Sequence, residues 1–356
     1  MPATLEAAAG AHRLDYAMDA VGGGTTVARA ELFVPAGPVP DGGFPLVVWA
    51  HGTTGIAEAC TPSASFEDFG NDVAVDALLG AGYAALLPDY EGFGQPSIHP
   101  YYVRSSHANS VLDAVPAAHA IDGVELAPDW AVVGHSQGGH VALSAARATP
   151  DPAYPLRAVA ALAPGTDLAA VSDRAFEAID RDLAEGNPQS AAERTFYLNV
   201  YGAFVAHAAR LTEPAFEPAS LFGDAVAPLI DGALDEDACG DYSVAVADAL
   251  SAHLAGGGTL AGFGGLRRDW YAEPLLADRL ERERFGDEAQ SMPLLVVQGD
   301  ADRQVPVAAT TDFVDAQLAL GTDVTYELVA GGRHGDVARA EFGRTIDWLA
   351  TRFPAR

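Results

Sequence analysis

The chain has 356 residues, of which 49% are apolar, and its 20 basic residues are all arginine against 49 Asp and Glu, leaving a formal charge of −29. So acidic a chain repels nucleic acid and anionic membrane surfaces, and without lysine it cannot form a G-x-x-x-x-G-K-[ST] phosphate loop. The length and apolar content suit one α/β core with an insertion, and no apolar run approaches the ~20 residues of a membrane span.

In chain order, residues 13–20 and 25–34 read as a leading pair of strands and 45–50 as a buried strand. A helix over 72–79, a strand over 83–88 and a helix over 109–121 follow, then strands at 130–133 and 158–163 with a helix over 140–148 between them. After a long gap come strands at 293–297 and 324–329 and helices over 307–320 and 337–353. Strands alternating with helices predict an α/β fold with a mostly parallel sheet covered on both faces. Between Asp167 and Met292 the alternation stops, which predicts a mainly helical cap at 167–290 inserted between core parts 1–166 and 291–356. Within it, Tyr197, Tyr201, Phe204, Ala208 and Leu211 share helical spacing. Such a stripe either packs the cap onto the core or lines a substrate groove, and both can hold at once. Glycines at 256–258, 262, 264 and 265 are candidate hinges or plain turns, and the acidic run Asp235-Glu236-Asp237 reads as solvated surface.

Chemistry concentrates at Val133-Gly134-His135-Ser136-Gln137-Gly138-Gly139, which lies between a strand and a helix. A serine on so sharp a turn needs φ > 0 and small neighbours, so G-x-S-x-G in this context reads as a nucleophile elbow. The motif alone is weak, and its partners decide. A hydroxyl needs a base and the base an orienting acid, and an acid followed by a histidine lies downstream. His334, in the glycine-rich loop after strand 324–329, is the candidate base, whereas His135 and His51 read as packing or loop-shaping residues. Asp302, just past strand 293–297, is the preferred acid, with Asp300 and Asp167 as rivals that only geometry separates. Ten histidines include no H-E-x-x-H, the two cysteines lie far apart, and no G-x-G-x-x-G follows a strand, so no metal or cofactor is implied.

The series strand-GHSQGG-helix, GDADRQVP and GGRHGD, in the order Ser, Asp, His, resembles the α/β-hydrolase superfamily over nearly the whole chain. The segments Val47 to Gly55, Ala59 to Ser63 and Pro88 to Gly94 narrow the resemblance to secretory lipases and esterases related to fungal lipase A. That resemblance implies that the backbone N–H groups of Thr53 and Gln137 form the oxyanion hole. It also implies a Cys60–Cys239 disulfide tying the cap to the core, where the alternative is two unrelated thiols. Such a bond belongs to an oxidising compartment, although residues 1–20 carry neither the basic start nor the continuous apolar stretch of an export signal. The function expected is hydrolysis of small-molecule or lipid esters by a serine esterase or lipase. An acyltransferase, a peptidase of the same fold and a non-catalytic binding protein are the alternatives. Acyl length, alcohol portion and oligomeric state lie beyond the sequence, and the acidic composition fits either a saline habitat or a GC-rich genome.

Overall fold

Strand β1 (Ala8–Asp19) alternates half-buried and exposed positions and turns back at Gly23 and Gly24, both at positive φ, to pair antiparallel with β2 (Thr25–Pro35). In the computed structural model, which describes residues 5, 7–64, 66, 67, 70–95, 97–148, 151–235 and 239–355, these two strands form one flank of an eight-stranded sheet. The remaining strands are β3 (Phe44–Ala50), β4 (Ala84–Pro88), β5 (Leu126–His135), β6 (Leu156–Leu162), β7 (Leu294–Gly299) and β8 (Val324–Val329). Their order is β1-β2-β4-β3-β5-β6-β7-β8, antiparallel at the two pairings of β2 and parallel elsewhere. Strands β3, β4 and β7 are buried at every position, as central strands must be when both faces are covered.

The helices are α1 (Asn71–Gly80), α2 (Arg104–Leu112), α3 (Ala114–His119), α4 (Gln137–Arg147), α5 (Leu168–Ala184), α6 (Pro188–Ala209), α7 (Asp241–Ala255), α8 (Pro274–Glu283), α9 (Val307–Ala319) and α10 (Phe342–Arg352). One face of the sheet packs on α2, α3, α4 and α9 through residues such as Val111, Val115, Val141 and Phe313. The other packs on α1 and α10 through Leu78, Phe342 and Trp348. Each strand read from the sequence is present, but β1 begins five residues earlier than expected, at Ala8, and β5 extends to Leu126–His135 from the expected 130–133. Two helices differ more.

The helix expected over 109–121 is two, Arg104–Leu112 and Ala114–His119. Pro116 has no N–H for the Leu112 carbonyl and its ring crowds that oxygen, so the chain breaks between them. The helix expected over 337–353 begins only at Phe342. Ahead of it the Asp336 carbonyl accepts from both Arg339 and Glu341, which closes a turn in place of a helical ladder.

Between β6 and β7 the chain is helical, running through α5 to α8, and an isolated bridge between Phe222 and Leu266 lies outside the sheet. This segment packs in a third apolar cluster, built around Phe204, Phe216, Val246, Leu276 and Trp270 and shared with Ile56, Tyr101 and Tyr102 from the loops after β3 and β4. Cys60 and Cys239 form a disulfide across 179 positions of sequence, linking the loop after β3 to the turn before α7. Glu236 and Asp237 of the acidic run lie outside the described residues.

Candidate active site

Central strand β5 delivers Ser136 directly from its last residue, His135. Ser136 has φ 58° and ψ −116°, a backbone state that non-glycine residues rarely hold without enforcement from their surroundings. The flanking glycines supply the room. A Cβ on Gly134 would stand 1.9 Å from the Gly138 carbonyl oxygen, and one on Gly138 would stand 1.9 Å from that of Ala50. The Ser136 carbonyl accepts from Gly139 and His140 at 2.9 and 3.3 Å, inside the first turn of α4. Because a trans peptide points its N–H opposite to its C=O, the Gln137 N–H is aimed out of the helix N-terminus, the end that favours negative charge.

The candidate acid and base, Asp302 and His334, follow the ends of β7 and β8. His334 Nδ1 lies 2.7 Å from Asp302 Oδ2, and both residues are buried, at 6% and 2% exposure. Asp302 Oδ2 also accepts from Gln298 Nε2 at 3.0 Å, while its Oδ1 accepts from the amides of Gln304 and Val305 at 2.8 and 3.0 Å. Burial pushes this carboxyl up, but the adjacent imidazole and the two amides outweigh it and hold the group below its ordinary value. A carboxylate bonded to Nδ1 fixes that nitrogen as the donor and leaves Nε2 as the basic one. Nε2 has no hydrogen-bond partner among the described residues, and His334 and Ser136 line the same cleft of about 290 Å³. The rival acids are occupied elsewhere: Asp300 accepts from the Gly331 amide at 2.7 Å, and Asp167 caps α5 by accepting from Ala170 at 3.0 Å. His135 donates from Nε2 to the His334 carbonyl at 2.9 Å, so its role is to fix the loop that carries the imidazole.

Thr53 lines the same cleft, and its loop is braced from several sides. Its Oγ1 is 2.8 Å from Tyr101 Oη, Tyr90 donates to the His51 carbonyl at 3.0 Å, and the His51 ring stacks on Tyr90 at 4.0 Å. Asp89 accepts from the Ser63 amide and hydroxyl at 2.9 and 2.6 Å, and the Gly94 amide donates to Thr61 Oγ1 at 2.8 Å. The two sequence segments around Thr61 and Asp89 therefore belong to one structure. The disulfide abuts it, with Cys239 Sγ 3.2 Å from the Thr54 carbonyl oxygen.

From the insertion, α6 reaches over the site. The aromatic stripe divides: Tyr197 and Tyr201 line a narrow apolar crevice that reaches Ser136, whereas Phe204 and Ala208 pack in the third cluster, Phe204 against Tyr101 at 5.6 Å, and Leu211 falls beyond the helix. Tyr201 donates to Gln304 at 2.6 Å and Arg194 to the Asp302 carbonyl at 3.3 Å. Glu193 pairs with Arg303 and, at 2.7 Å, with Arg333, the residues beside Asp302 and His334. Among the described residues no group of His, Cys, Asp and Glu is arranged to hold a metal ion, and no helix is long and apolar enough to cross a membrane.

The family profile described as the alpha/beta hydrolase family matches residues 47–343, most of the chain. The chain belongs to that family. Among solved structures, this hydrolase is similar to the rice cell wall degrading esterase LipA from Xanthomonas oryzae, with a TM-score of 0.73 at 19% identity over 96% of this chain and 89% of that one. It is also similar to Candida antarctica lipase A in its closed state, with a TM-score of 0.66 at 16% identity over 94% and 77% of the two chains. At such identities the likeness is one of fold. No curated protein matches the hydrolase at the sequence level.

Several polar residues of the hydrolase site escaped the sequence reading. Gln298 carried a usable signal, a buried polar residue closing the apolar run Leu294-Leu295-Val296-Val297, which needs partners and finds them in Asp302 and Thr310. Glu193 and Arg194 carried none, since they sit in an ordinary polar stretch of helix whose docking onto the core is a tertiary fact.

Proposed function

We propose that the protein is a serine esterase or lipase acting on carboxylic esters of small molecules or lipids. Ser136 Oγ attacks the ester carbonyl while His334 Nε2 takes its proton and returns it to the leaving alcohol. Asp302 holds the imidazole in the required tautomer and stabilises its protonated form. The oxyanion is received by the backbone N–H groups of Thr53 and Gln137, donors of a kind each worth about 3 to 4 kcal/mol of barrier. Water, activated by the same imidazole, then cleaves the acyl enzyme.

The observation that carries this reading is the Asp302–His334 bond of 2.7 Å opening Nε2 onto the cleft shared with a serine at φ 58°. A nucleophile and base separated by more than a hydrogen bond in a ligand-free site are common, because the contact tightens when substrate binds. Two crevices meet at Ser136. The apolar one runs between α5 and α6 past Leu168, Val171, Ala175, Leu198 and Val205, and suits an acyl chain. The polar one, past Thr53, His334 and Arg339, suits the alcohol and the incoming water. On this reading residues 167–290 act as a cap that shapes acyl specificity.

A p-nitrophenyl ester series of increasing acyl length, run on the protein and on Ser136→Ala, tests the proposal. Hydrolysis by the first, abolished in the second and in protein labelled at Ser136 by an organophosphonate, supports it. Equal rates for the two proteins, or labelling at another residue, refute it.

A further inference from the structure

The mechanism above uses one histidine as a base and leaves three others, His99, His107 and His140, buried with almost no exposure beneath the elbow. They come from the loop after β4, from α2 and from α4, and they meet at the side chain of Gln137, itself fully buried. Gln137 Nε2 is 2.5 Å from His99 Nε2 and 3.3 Å from His107 Nε2. Around this amide the donors and acceptors admit one consistent set. His99 Nδ1 faces the Glu91 carbonyl at 2.8 Å and must donate to it, so the Nε2 of a neutral ring accepts from Gln137. The second amide hydrogen goes to His107 Nε2. His107 then donates from Nδ1 to His140 Nδ1 at 3.0 Å, and His140 donates from Nε2 to the Glu283 carbonyl at 3.3 Å. The chain of bonds runs from the loop that carries Glu91, under the nucleophile, to α8 in the insertion.

We infer that His99, His107 and His140 are positioning residues that clamp the Gln137 side chain and thereby hold its backbone N–H at the oxyanion site. This rests on the serine hydrolase reading and adds to it a second anchor for the donor peptide. The first anchor is the Ser136 carbonyl in the α4 turn, which fixes the plane of the peptide from the Ser136 side. The side-chain clamp fixes Gln137 from the other side, at a residue next to one whose φ of 58° would relax if it were released. Burial favours the uncharged form of all three rings, holding His99 and His140 down to about 3 and His107 well below its ordinary value. Neutrality matters because a protonated ring would set two donors against each other and break the chain. The rings are held in face-to-face and edge contacts, His99 on Phe93 at 4.6 Å and His140 on Tyr102 at 4.7 Å, so each nitrogen keeps its direction.

The test uses Gln137→Met, which keeps the backbone N–H and the side-chain length but removes the amide, together with His107→Leu, their combination, and His107→Gln, whose amide oxygen can accept where Nε2 did. For each, kcat and KM on a p-nitrophenyl ester are measured, with the affinity of an arylboronic acid that mimics the tetrahedral anion. Expected is a fall in kcat of about tenfold in each single variant, below the ~10²-fold or greater cost of losing a donor outright. KM stays within about twofold, boronate affinity falls by the same factor as kcat, the combined variant is no worse than the poorer single one, and His107→Gln recovers most of the loss. Folded single variants with wild-type kcat and boronate affinity overturn the clamp, as do losses that multiply in the combined variant. If His107→Leu does not fold, Gln137→Met decides alone. A wild-type protein that neither hydrolyses esters nor is labelled at Ser136 overturns the hydrolase reading itself, and the clamp with it.

Discussion

Mild acid should strongly destabilise this protein through its buried histidines. Burial depresses His51 to about 4 and His99, His135 and His140 to about 3, and places His107 well below its ordinary value. The unfolded chain, with imidazoles near ~6.5, binds more protons than the folded one below that pH, so stability is complete above it and falls as pH drops. At pH 5 each of the four rings held at about 3 to 4 removes about 2 kcal/mol, or about 8 kcal/mol together, and His107 acts in the same direction. Asp89 acts with the opposite sign: burial raises its carboxyl to about 6 in the folded state, ahead of the lowering by Ser63, so protonation there favours folding as pH falls. Its gain at pH 5 is about 1 kcal/mol, which leaves a net loss of about 7 kcal/mol before His107 is counted. Such a loss exhausts a stability in the lower part of the usual range of about 5 to 15 kcal/mol, which for such a stability puts the acid midpoint near pH 5. Urea unfolding followed by tryptophan fluorescence at pH 7.5, 6.5, 6.0 and 5.5 measures the slope, expected to reach several protons taken up per molecule. Stability that is level from pH 7 to pH 5 would refute the reasoning.

Four further outcomes are expected. Ser136→Ala and His334→Ala each lower kcat for ester hydrolysis by about 10⁴-fold or more with circular dichroism unchanged, as loss of one member of a unit does. Asp302→Asn costs several orders of magnitude and Asp300→Asn far less, because Asp300 only ties down the Gly331 amide; steady-state kinetics showing the reverse ranking would move the acid. Gly138→Ala, whose Cβ would stand 1.9 Å from the Ala50 carbonyl oxygen, lowers thermal stability by several kcal/mol and kcat with it, and a folded, fully active variant would contradict the elbow geometry. Reducing the Cys60–Cys239 bond, which spans 179 positions, removes up to about 5 kcal/mol on the chain-entropy account and also depresses kcat, since the bridge touches Thr54 beside Thr53; scanning calorimetry and activity with and without reductant check both parts.

The middle of the sheet was legible because strands such as β3 and β7 are continuous apolar runs bounded by turn residues, whereas β1 shows only an alternating pattern. Ser136 was legible because φ > 0 beside a helix demands Gly134 and Gly138 as neighbours, a constraint written locally. Asp302 was narrower: Asp300 and Asp302 share a loop and chemistry, and only the direction of one carboxylate towards His334 Nδ1 distinguishes them. The break at Asp113 was readable in principle from Pro116, whereas the late start of α10 depends on two amides converging on the Asp336 carbonyl, which no local pattern encodes. The contributions of α6 were least legible. Which helical face of an insertion meets the core depends on how two apolar clusters dock, and periodicity reports a face without naming its partner.

The bridge at Cys239 has a topological meaning as well as an energetic one. The insertion is joined to the core by peptide at β6 and at β7, and the disulfide adds a third covalent point between them. The insertion is thereby divided into two closed circuits, one holding α5 and α6 and the other α7 and α8. A flap attached along one edge can swing wide, but a strip pinned at both ends and in the middle can only bow. With the disulfide formed, any movement of α5 and α6 relative to the sheet takes place within their own circuit, between β6 and Cys239.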